Sequence, residues 1–146
     1  MTPYMMVLDE EMQILFVGTR EGLVVFFDVS HSHDFVMVHY LKLTKPGSRN
    51  FIKQMDLDKT KNILMCRMKS SDIICIQLIR SNVQKSTVIE KVQTYGSSYM
   101  DKDEICKFKW LSRMSMYVEG TRAGLIKIRD IQKAGELVMH LPADFK

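Results

Sequence analysis

The sequence predicts an all-β protein, and three observations lead to this fold class. The chain of 146 residues contains only three alanines, whereas Val, Ile, Phe, Tyr and Thr fill short runs. Internal similarity divides the chain into units of about 50 residues. Each unit contains four short apolar segments separated by turn residues. Together these features predict a four-stranded antiparallel sheet that is repeated along the chain.

The repeat is clearest between the beginning and the end of the chain. The sequence GTREGLV at residues 18–24 recurs as GTRAGLI at residues 120–126, and each copy continues to an Asp followed by an aliphatic residue, at Asp28 and Asp130. The two copies are 102 residues apart, and half of this separation predicts a middle copy near residues 63–78. There the apolar-turn-apolar pattern persists without the two glycines, so the chain contains three related units.

Twelve strands are predicted in order along these units. The first unit has strands at residues 5–8, 14–17, 23–29 and 35–41. The second unit has strands at residues 51–57, 63–67, 73–79 and 87–95. The third has strands at residues 105–111, 116–118, 125–131 and 137–141. Turn-rich stretches at residues 44–50 and 96–104 join the units. We expect one domain over residues 1–146, with units at about 4–43, 51–95 and 105–141.

The central strands indicate how the units pack. Residues 14–17 and 23–27 are apolar at every position, so both faces of their sheet must be covered. Antiparallel sheets that repeat at a fixed period and are covered on both faces are the arrangement of stacked β-propeller blades. We therefore predict a partial β-propeller of about three four-stranded antiparallel blades. A flatter β-sandwich is the alternative fold.

Two pairs of glycines are predicted to be structural turn residues: Gly18, Gly22, Gly120 and Gly124. The second glycine of each pair can provide the positive φ that a three-residue hairpin turn requires. No helix is predicted after either pair. This argues against a phosphate-binding loop, whose anion site lies at a helix N-terminus.

The order of a strand ending in Gly-Thr, a turn ending in Gly and a strand ending in Asp resembles the WD-repeat β-propeller family, over nearly the whole chain. FD at residues 27–28 and RD at residues 129–130 lie where that family has Trp-Asp, whereas the second unit has QL at residues 77–78. Glu21 and Ala123 replace the tight-turn Asp, and no Gly-His pair precedes any unit. The resemblance implies degenerate repeats that are held mainly by apolar stacking.

Three blades do not close a ring, because propellers use roughly four to eight blades. Two apolar sheet faces therefore remain open. We expect a second copy of the chain, blades of another subunit or the continuation of a longer protein to cover them. An isolated chain is expected to self-associate or aggregate through these faces.

Charge is distributed unevenly along the chain, whose net charge is +4. Residues 1–41 contain one basic and six acidic residues, whereas residues 42–100 contain eleven basic and four acidic residues. The basic excess favours a solvated lysine-rich face; a patch for an anionic partner, such as RNA phosphates or the acidic surface of tubulin, is the alternative. We expect no aromatic platform for stacking bases among these charges. The patch consists of Lys42, Lys45, Arg49, Lys53, Lys59 and Lys61.

Few residues suggest catalysis or metal binding. His31 and His33 lie in a polar loop with no third ligand placed by the sequence, so we expect solvated side chains and no metal site. Cys66 and Cys75 are predicted to face each other across a hairpin as two small buried side chains rather than as a disulfide. We expect neither a catalytic residue nor a cofactor.

The sequence therefore predicts a noncatalytic scaffold subunit that binds other proteins in a large assembly. No run of 18 apolar residues is present, so no membrane span is expected. We expect a cytoplasmic location, and the WD-repeat resemblance adds the cytoskeleton or the ciliary axoneme as plausible hosts. The alternative is a ribonucleoprotein subunit that contacts RNA phosphates through its basic middle unit.

Overall fold

The computed structural model describes residues 1–31, 33–45, 47–81, 83, 86–95, 105–133 and 135–142. These residues form three four-stranded sheets in which neighbouring strands are antiparallel and follow one another in sequence order. The strands are β1 (Pro3–Asp9), β2 (Ile14–Thr19), β3 (Leu23–Asp28), β4 (Val36–Lys42), β5 (Ile52–Asp58), β6 (Ile63–Met68), β7 (Ile73–Ser81), β8 (Ser86–Tyr95), β9 (Ile105–Leu111), β10 (Met116–Thr121), β11 (Leu125–Asp130) and β12 (Glu136–Pro142).

The observed strands confirm the predicted all-β fold class and the three four-stranded antiparallel sheets. Each predicted strand overlaps one observed strand, and their ends differ by at most three residues. The predicted connection at residues 96–104 lies outside the described residues. Strand β1 contacts β5, and β5 contacts β9, so the first strands of the sheets lie where the sheets are closest.

The second sheet shares its apolar side chains between two neighbours. Successive side chains of a strand point to opposite faces. In β6, Leu64 and Cys66 accordingly pack in a cluster with Phe16 and Phe26 of the first sheet. Met65, which lies between them, packs instead in a cluster with the third sheet. The uninterrupted apolar run of β6 thus serves two interfaces, and all six of its residues are buried.

The two cysteines do not face each other, and the prediction that they do is wrong. The β6–β7 register pairs Met65 with Cys75, and Cys66 with Ile74. A register that differs by one residue reverses the face on which a side chain lies. Cys66 therefore packs toward the first sheet and Cys75 toward the third. Burial raises the pKa of both thiols, that of Cys75 to about 11, and both are free thiols.

One turn geometry recurs in all three sheets although its residues differ. Gln13, Asn62 and Ser115 precede the second strand of their sheets and have φ of 55°, 56° and 52°. The backbone carbonyl oxygen of each of these residues accepts a hydrogen bond from a backbone N–H of the same sheet. The donor is the residue just after the last one of the third strand that pairs with the second strand. The donors are Val29, Leu78 and Ile131, at 3.0, 2.8 and 3.1 Å. The three sheets are therefore structural repeats even where the sequence repeat is lost.

The turn between the second and third strands explains the repeated Gly-Thr and the second glycine. Gly22 and Gly124 have φ of 81° and 83°, a region that favours glycine. The hydroxyls of Thr19 and Thr121 accept hydrogen bonds from the backbone four residues later, at 3.0 and 3.2 Å. In the second sheet Ser71 occupies the glycine position with φ of 71°.

Replacing the two positive-φ glycines by alanine should destabilise the protein to different extents. Gly124→Ala should lower the free energy of unfolding by about 1 kcal/mol, because the left-handed conformation disfavours a Cβ but no atom of the described residues lies within 4 Å of that Cβ. Gly22→Ala should cost about 2–3 kcal/mol, because its Cβ would also lie 2.7 Å from Thr44 Cγ2. Urea unfolding measures both values; equal costs would contradict the packing at Gly22.

Candidate interaction surfaces

A buried ion pair joins the first and second sheets. Arg80, on β7, donates from Nε to Oδ2 of Asp9 at 2.7 Å and from Nη2 to Oδ1 of Asp9 at 3.0 Å. Its Nη1 donates to Asn62 Oδ1 and to the Lys59 carbonyl, each at 3.1 Å. The Asp9 side chain is fully buried, and that of Arg80 is 7% exposed. The two-pronged geometry fixes the position of β1 against the second sheet.

Hydrogen bonds to side chains join the second and third sheets. The Gln54 amide donates to the Phe108 carbonyl at 2.9 Å and accepts from the Phe108 N–H at 3.3 Å, so a side chain pairs with β9 as a backbone would. The indole N–H of Trp110 donates to Asp58 Oδ2 at 2.7 Å. Burial of Asp58 opposes its ionisation, but hydrogen bonds from the side chains of Ser112 and Trp110 and from the backbone of Lys61 and Thr60 lower the pKa of Asp58 below its ordinary value.

The two interfaces differ at one equivalent position. In the first sheet Gly18 lies against Ile52, and a Cβ on Gly18 would be 3.2 Å from Ile52 Cβ. In the second sheet the register places Arg67 at this position, and its Nη1 donates to the Ile105 carbonyl at 2.8 Å. A close apolar contact at one interface is thus replaced by a hydrogen bond at the other.

The first sheet has an apolar face directed away from the second sheet, which we call the N-side face. Its members are the side chains of β1 to β4 that alternate with those of the first core cluster. They are Met6, Leu8, Leu15, Val17, Val25, Phe27, Met37 and Tyr40. Met6, Leu8, Met37 and Tyr40, on the outer strands β1 and β4, are exposed, whereas Val17 and Val25 on the central strands are buried. Exposed apolar side chains grouped on one face are typical of an interaction surface.

The third sheet has an equivalent open surface, which we call the C-side face. Its members are Lys107, Lys109, Leu111, Met116, Val118, Ile126, Ile128, Met139 and Leu141. Gly120 lies on this face at the position that Gly18 has in the first sheet. Among the described residues, a Cβ on Gly120 would meet only the Lys107 carbonyl, at 4.0 Å. In this part of the chain, the groove that Ile52 fills at the first interface is therefore present and open.

The six predicted basic residues do not form one patch. Lys42, Lys45 and Arg49 lie at one rim, around a depression of about 530 Å³ that Arg20 and Lys69 also line. Lys59 and Lys61 follow β5, whose length of roughly 20 Å places them at the opposite rim. Lys53 lies between them on β5 and is half-buried. We call Arg20, Lys42, Lys45, Arg49 and Lys69 the basic rim.

Lys61 is engaged in a contact between sheets. Its ammonium group donates to the Ser115 hydroxyl and lies 5.9 Å from the centre of the Trp110 ring. This supports the second interface rather than an external ligand. Lys59 is exposed, and its carbonyl oxygen accepts from Arg80.

An aromatic pair lies beside the basic rim. Tyr4 of the first sheet and Phe51 before β5 make an edge-to-face contact with ring centres 5.1 Å apart. The Arg20 guanidinium lies 5.5 Å from the Tyr4 ring centre, and the Lys69 ammonium 5.6 Å from that of Phe51. Residues from both sheets build this arrangement, so their separation in sequence hides it.

Asp28 and Asp130 stabilise the turns that follow β3 and β11. Each accepts a hydrogen bond at 2.9 Å from a backbone N–H two residues later, that of Ser30 or Gln132. The hydrogen bonds to Ser30 lower the pKa of Asp28. The register places Gln77, rather than Leu78, at the equivalent position of the second sheet.

Neither a metal cluster nor a membrane-spanning helix is found in the described part of the chain. His31 and His33 are both exposed. Within the described ranges, no three His, Cys, Asp or Glu side chains are grouped as metal ligands. The helical elements among the described residues, the 3-10 turns Ser112–Met114 and Ile131–Lys133, are too short to cross a membrane.

The chain is similar to solved β-propellers. No model of a known protein family matches it, and no curated protein matches it in sequence. The β-propeller domain of Myceliophteria thermophila Cps50 (Swd1) superposes with a TM-score of 0.75 and 12% identity, over 99% of this chain and 44% of that one. The C-terminal WD40 domain of Sif2 gives a TM-score of 0.62 and 10% identity, over 91% and 34% of the two chains.

One further similar structure is that of a gluconolactonase. The periplasmic gluconolactonase PpgL of Pseudomonas aeruginosa gives a TM-score of 0.64 and 11% identity, over 99% of this chain and 42% of that one. The chain therefore spans less than half the length of these structures. Its fold is that of three consecutive blades of a β-propeller, and the predicted resemblance to WD-repeat propellers is confirmed at the level of the fold.

Removing the buried carboxylate between the first two blades should be costly. Asp9→Asn should lower the free energy of unfolding by about 3 kcal/mol, because it removes the buried carboxylate that neutralises Arg80 and leaves only the exposed Glu11 as its ion-pair partner. Glu11→Gln is the matched control, because Glu11 binds the same guanidinium at 3.1 Å but is 58% exposed. It should cost less than about 1 kcal/mol. Urea unfolding compares the two variants, and similar losses would refute the assigned role of burial.

Asp58 should make stability depend on pH. Its pKa is lower in the folded protein, so its contribution is present above the ordinary value of 3.8 and is lost as pH falls through the folded pKa. Asp58→Asn should cost about 1–3 kcal/mol at neutral pH, and its difference from the unaltered protein should shrink below about pH 4. Fluorescence of Trp110, the single tryptophan, reports this unfolding. A difference that is independent of pH would contradict the assignment.

Proposed function

We propose that this chain is a noncatalytic interaction scaffold whose two end faces pack against further β-propeller blades. The observation that carries the proposal is the pair of apolar surfaces, the N-side and C-side faces, at the two ends of a three-blade stack. Equivalent faces inside the stack are buried against a neighbouring blade. The same physical chemistry favours covering the two end faces.

The charged groups inside the stack support a structural role. Asp9 and Asp58 each accept hydrogen bonds from the next blade. Arg67 and Arg80 each donate to a neighbouring blade. Buried charges of this kind are held by fixed partners, whereas a catalytic group needs an accessible substrate site. They favour a protein whose function is carried by shape and surface.

We further propose protein partners in a cytoplasmic assembly, with the cytoskeleton or a ciliary axoneme as the host. The basic rim supports this proposal, because it suits an acidic partner surface such as that of tubulin. A ribonucleoprotein subunit is the second candidate function. The division of the predicted basic patch between two rims disfavours a continuous phosphate track. Absence of binding to oligouridine at low salt would exclude this candidate.

Charges placed on an end face should reduce self-association. The double variant Met37→Glu/Tyr40→Glu should sediment as a smaller species than the unaltered chain at equal concentration, because both side chains are exposed on the N-side face. Val83→Glu is the control, because Val83 is exposed in the β7–β8 turn and lies on neither end face. Sedimentation velocity measures the difference. An unaltered chain that is monomeric and unfolds cooperatively would refute the proposal.

A further inference from the structure

The basic rim is a preformed site whose position in the fold is fixed from both sides. It lies where the β2–β3 turn, the loop from β4 to β5 and the β6–β7 turn meet. The loop is attached to the first turn by the Leu43 N–H, which donates to the Gly22 carbonyl at 2.9 Å. The loop is attached to the β6–β7 turn by Asn50, whose side-chain amide donates to Ser70 Oγ at 3.0 Å and accepts from the Ser70 N–H at 2.9 Å.

Among the described residues, the charge of this site is almost entirely of one sign. Of these residues, five cationic side chains and one carboxylate, that of Glu21, line the depression. Hydrogen bonds from the Thr2 backbone lower the pKa of Glu21 to about 2, so Glu21 stays ionised at neutral pH. Among the described residues, Lys42, Lys45 and Arg49 form no ion pair. Their charges therefore face solvent and attract an anion.

Two further cations are held in place by the aromatic pair. Arg20 lies over the Tyr4 ring and Lys69 over the Phe51 ring, and the two rings contact each other. One cation thus comes from the first blade and one from the second, at the two sides of the depression. Because a cation already covers one face of each ring, the rings are poorly placed to stack on the bases of a nucleic acid.

We propose that the basic rim binds a phosphorylated segment of a partner protein. Phosphoserine and phosphothreonine carry a charge of about −1.5 to −2 and three acceptor oxygens, which match guanidinium and ammonium donors gathered around one point. The depression of about 530 Å³ accommodates one or two such side chains. A nucleic acid would instead favour a linear series of phosphate contacts. Lys59 and Lys61 do not extend such a series, because they lie at the opposite rim.

This inference rests on the proposed function as a protein-binding scaffold and specifies the chemistry of one partner. It is independent of what covers the end faces, because the basic rim lies at the turns between strands and not on a sheet face. Loss of phosphopeptide binding and loss of association through the end faces are therefore separate outcomes. The first is measured with a peptide and the second by sedimentation.

The test is fluorescence anisotropy of the full chain with a short fluorescein-labelled glycine peptide that carries two phosphoserines. We expect this peptide to bind, and its affinity to fall with increasing salt. The same peptide with unphosphorylated serines should not bind measurably. The double variant Lys45→Ala/Arg49→Ala should weaken binding by at least about tenfold, because it removes two charge-assisted contacts.

The matched control is Lys59→Ala/Lys133→Ala, which removes the same charge from exposed positions at the opposite rim. It should bind the phosphopeptide as the unaltered chain does. Thermal unfolding of both double variants verifies that each is folded. Equal losses in the two variants would refute the site, because they would indicate attraction by net charge alone.

Two other probes exclude competing ligands. Oligouridine that binds more tightly than the phosphopeptide and loses affinity in Lys45→Ala/Arg49→Ala would replace the proposal with a nucleic-acid site. A glutamate peptide of equal charge that binds as tightly would replace it with a site for acidic segments. Failure of the phosphopeptide to bind a folded chain at low salt would refute the proposal outright.

Discussion

Apolar side chains lie on both faces of every sheet, in the third sheet together with the Glu119–Arg129 ion pair, and the rest of the structure depends on covering both faces. The second blade meets this constraint in its central strands, because alternate side chains of β6 and β7 enter separate cores on its two sides. The first and third blades meet it on one side only. The N-side and C-side faces are thus a direct consequence of the pattern that makes the central blade stable. The proposed scaffold function follows from the same constraint.

The two interfaces satisfy the constraint with different chemistry. Between the first and second blades, the absence of a side chain at Gly18 admits Ile52, and the Asp9–Arg80 pair fixes the relative position of the blades. Between the second and third, Arg67, Gln54 and Asp58 donate to or accept from backbone and indole groups. Loss of the glycine in the middle repeat is therefore compensated, because Arg67 bridges to β9. Gly120 is a glycine at the position of Gly18. The C-side face is therefore shaped to pack against a sheet whose first strand begins, as β5 does at Ile52, with a bulky aliphatic residue.

The repeated Gly-Thr and the apolar runs made the twelve strands predictable, because both reflect local requirements of turns and two-sided burial. The middle unit was predicted one residue out of register. Two assignments are incorrect: the pairing of Cys66 with Cys75, and the alignment of Gln77-Leu78 with Phe27-Asp28 of the first unit. Ser71 has the left-handed φ of the missing glycine, and no sequence rule identified it. The turns at Gln13, Asn62 and Ser115 were hidden because their residue types differ.

The interaction surfaces were predictable only in part. The uneven charge along the chain identifies Lys42, Lys45 and Arg49, but Arg20 lies within an acidic segment and Tyr4 within an apolar strand, so neither is identified. Lys59 and Lys61 are near these residues in sequence, but β5 separates them in the fold. The Asp9–Arg80 pair joins residues from different repeats, and a single sequence carries no local signal for such a contact.

Coverage of the end faces is tested most directly by the oxidation of three methionines with comparable exposure in the isolated chain. Met37 on the N-side face is 54% exposed, Met139 on the C-side face 49%, and Met114 at a rim 57%. Limited peroxide treatment of a native extract, followed by mass spectrometry, compares their sulfoxide yields with those of the purified chain. If further blades cover the end faces, Met37 and Met139 should be oxidised less than Met114 in the extract. Equal oxidation of all three methionines in the extract would contradict the account.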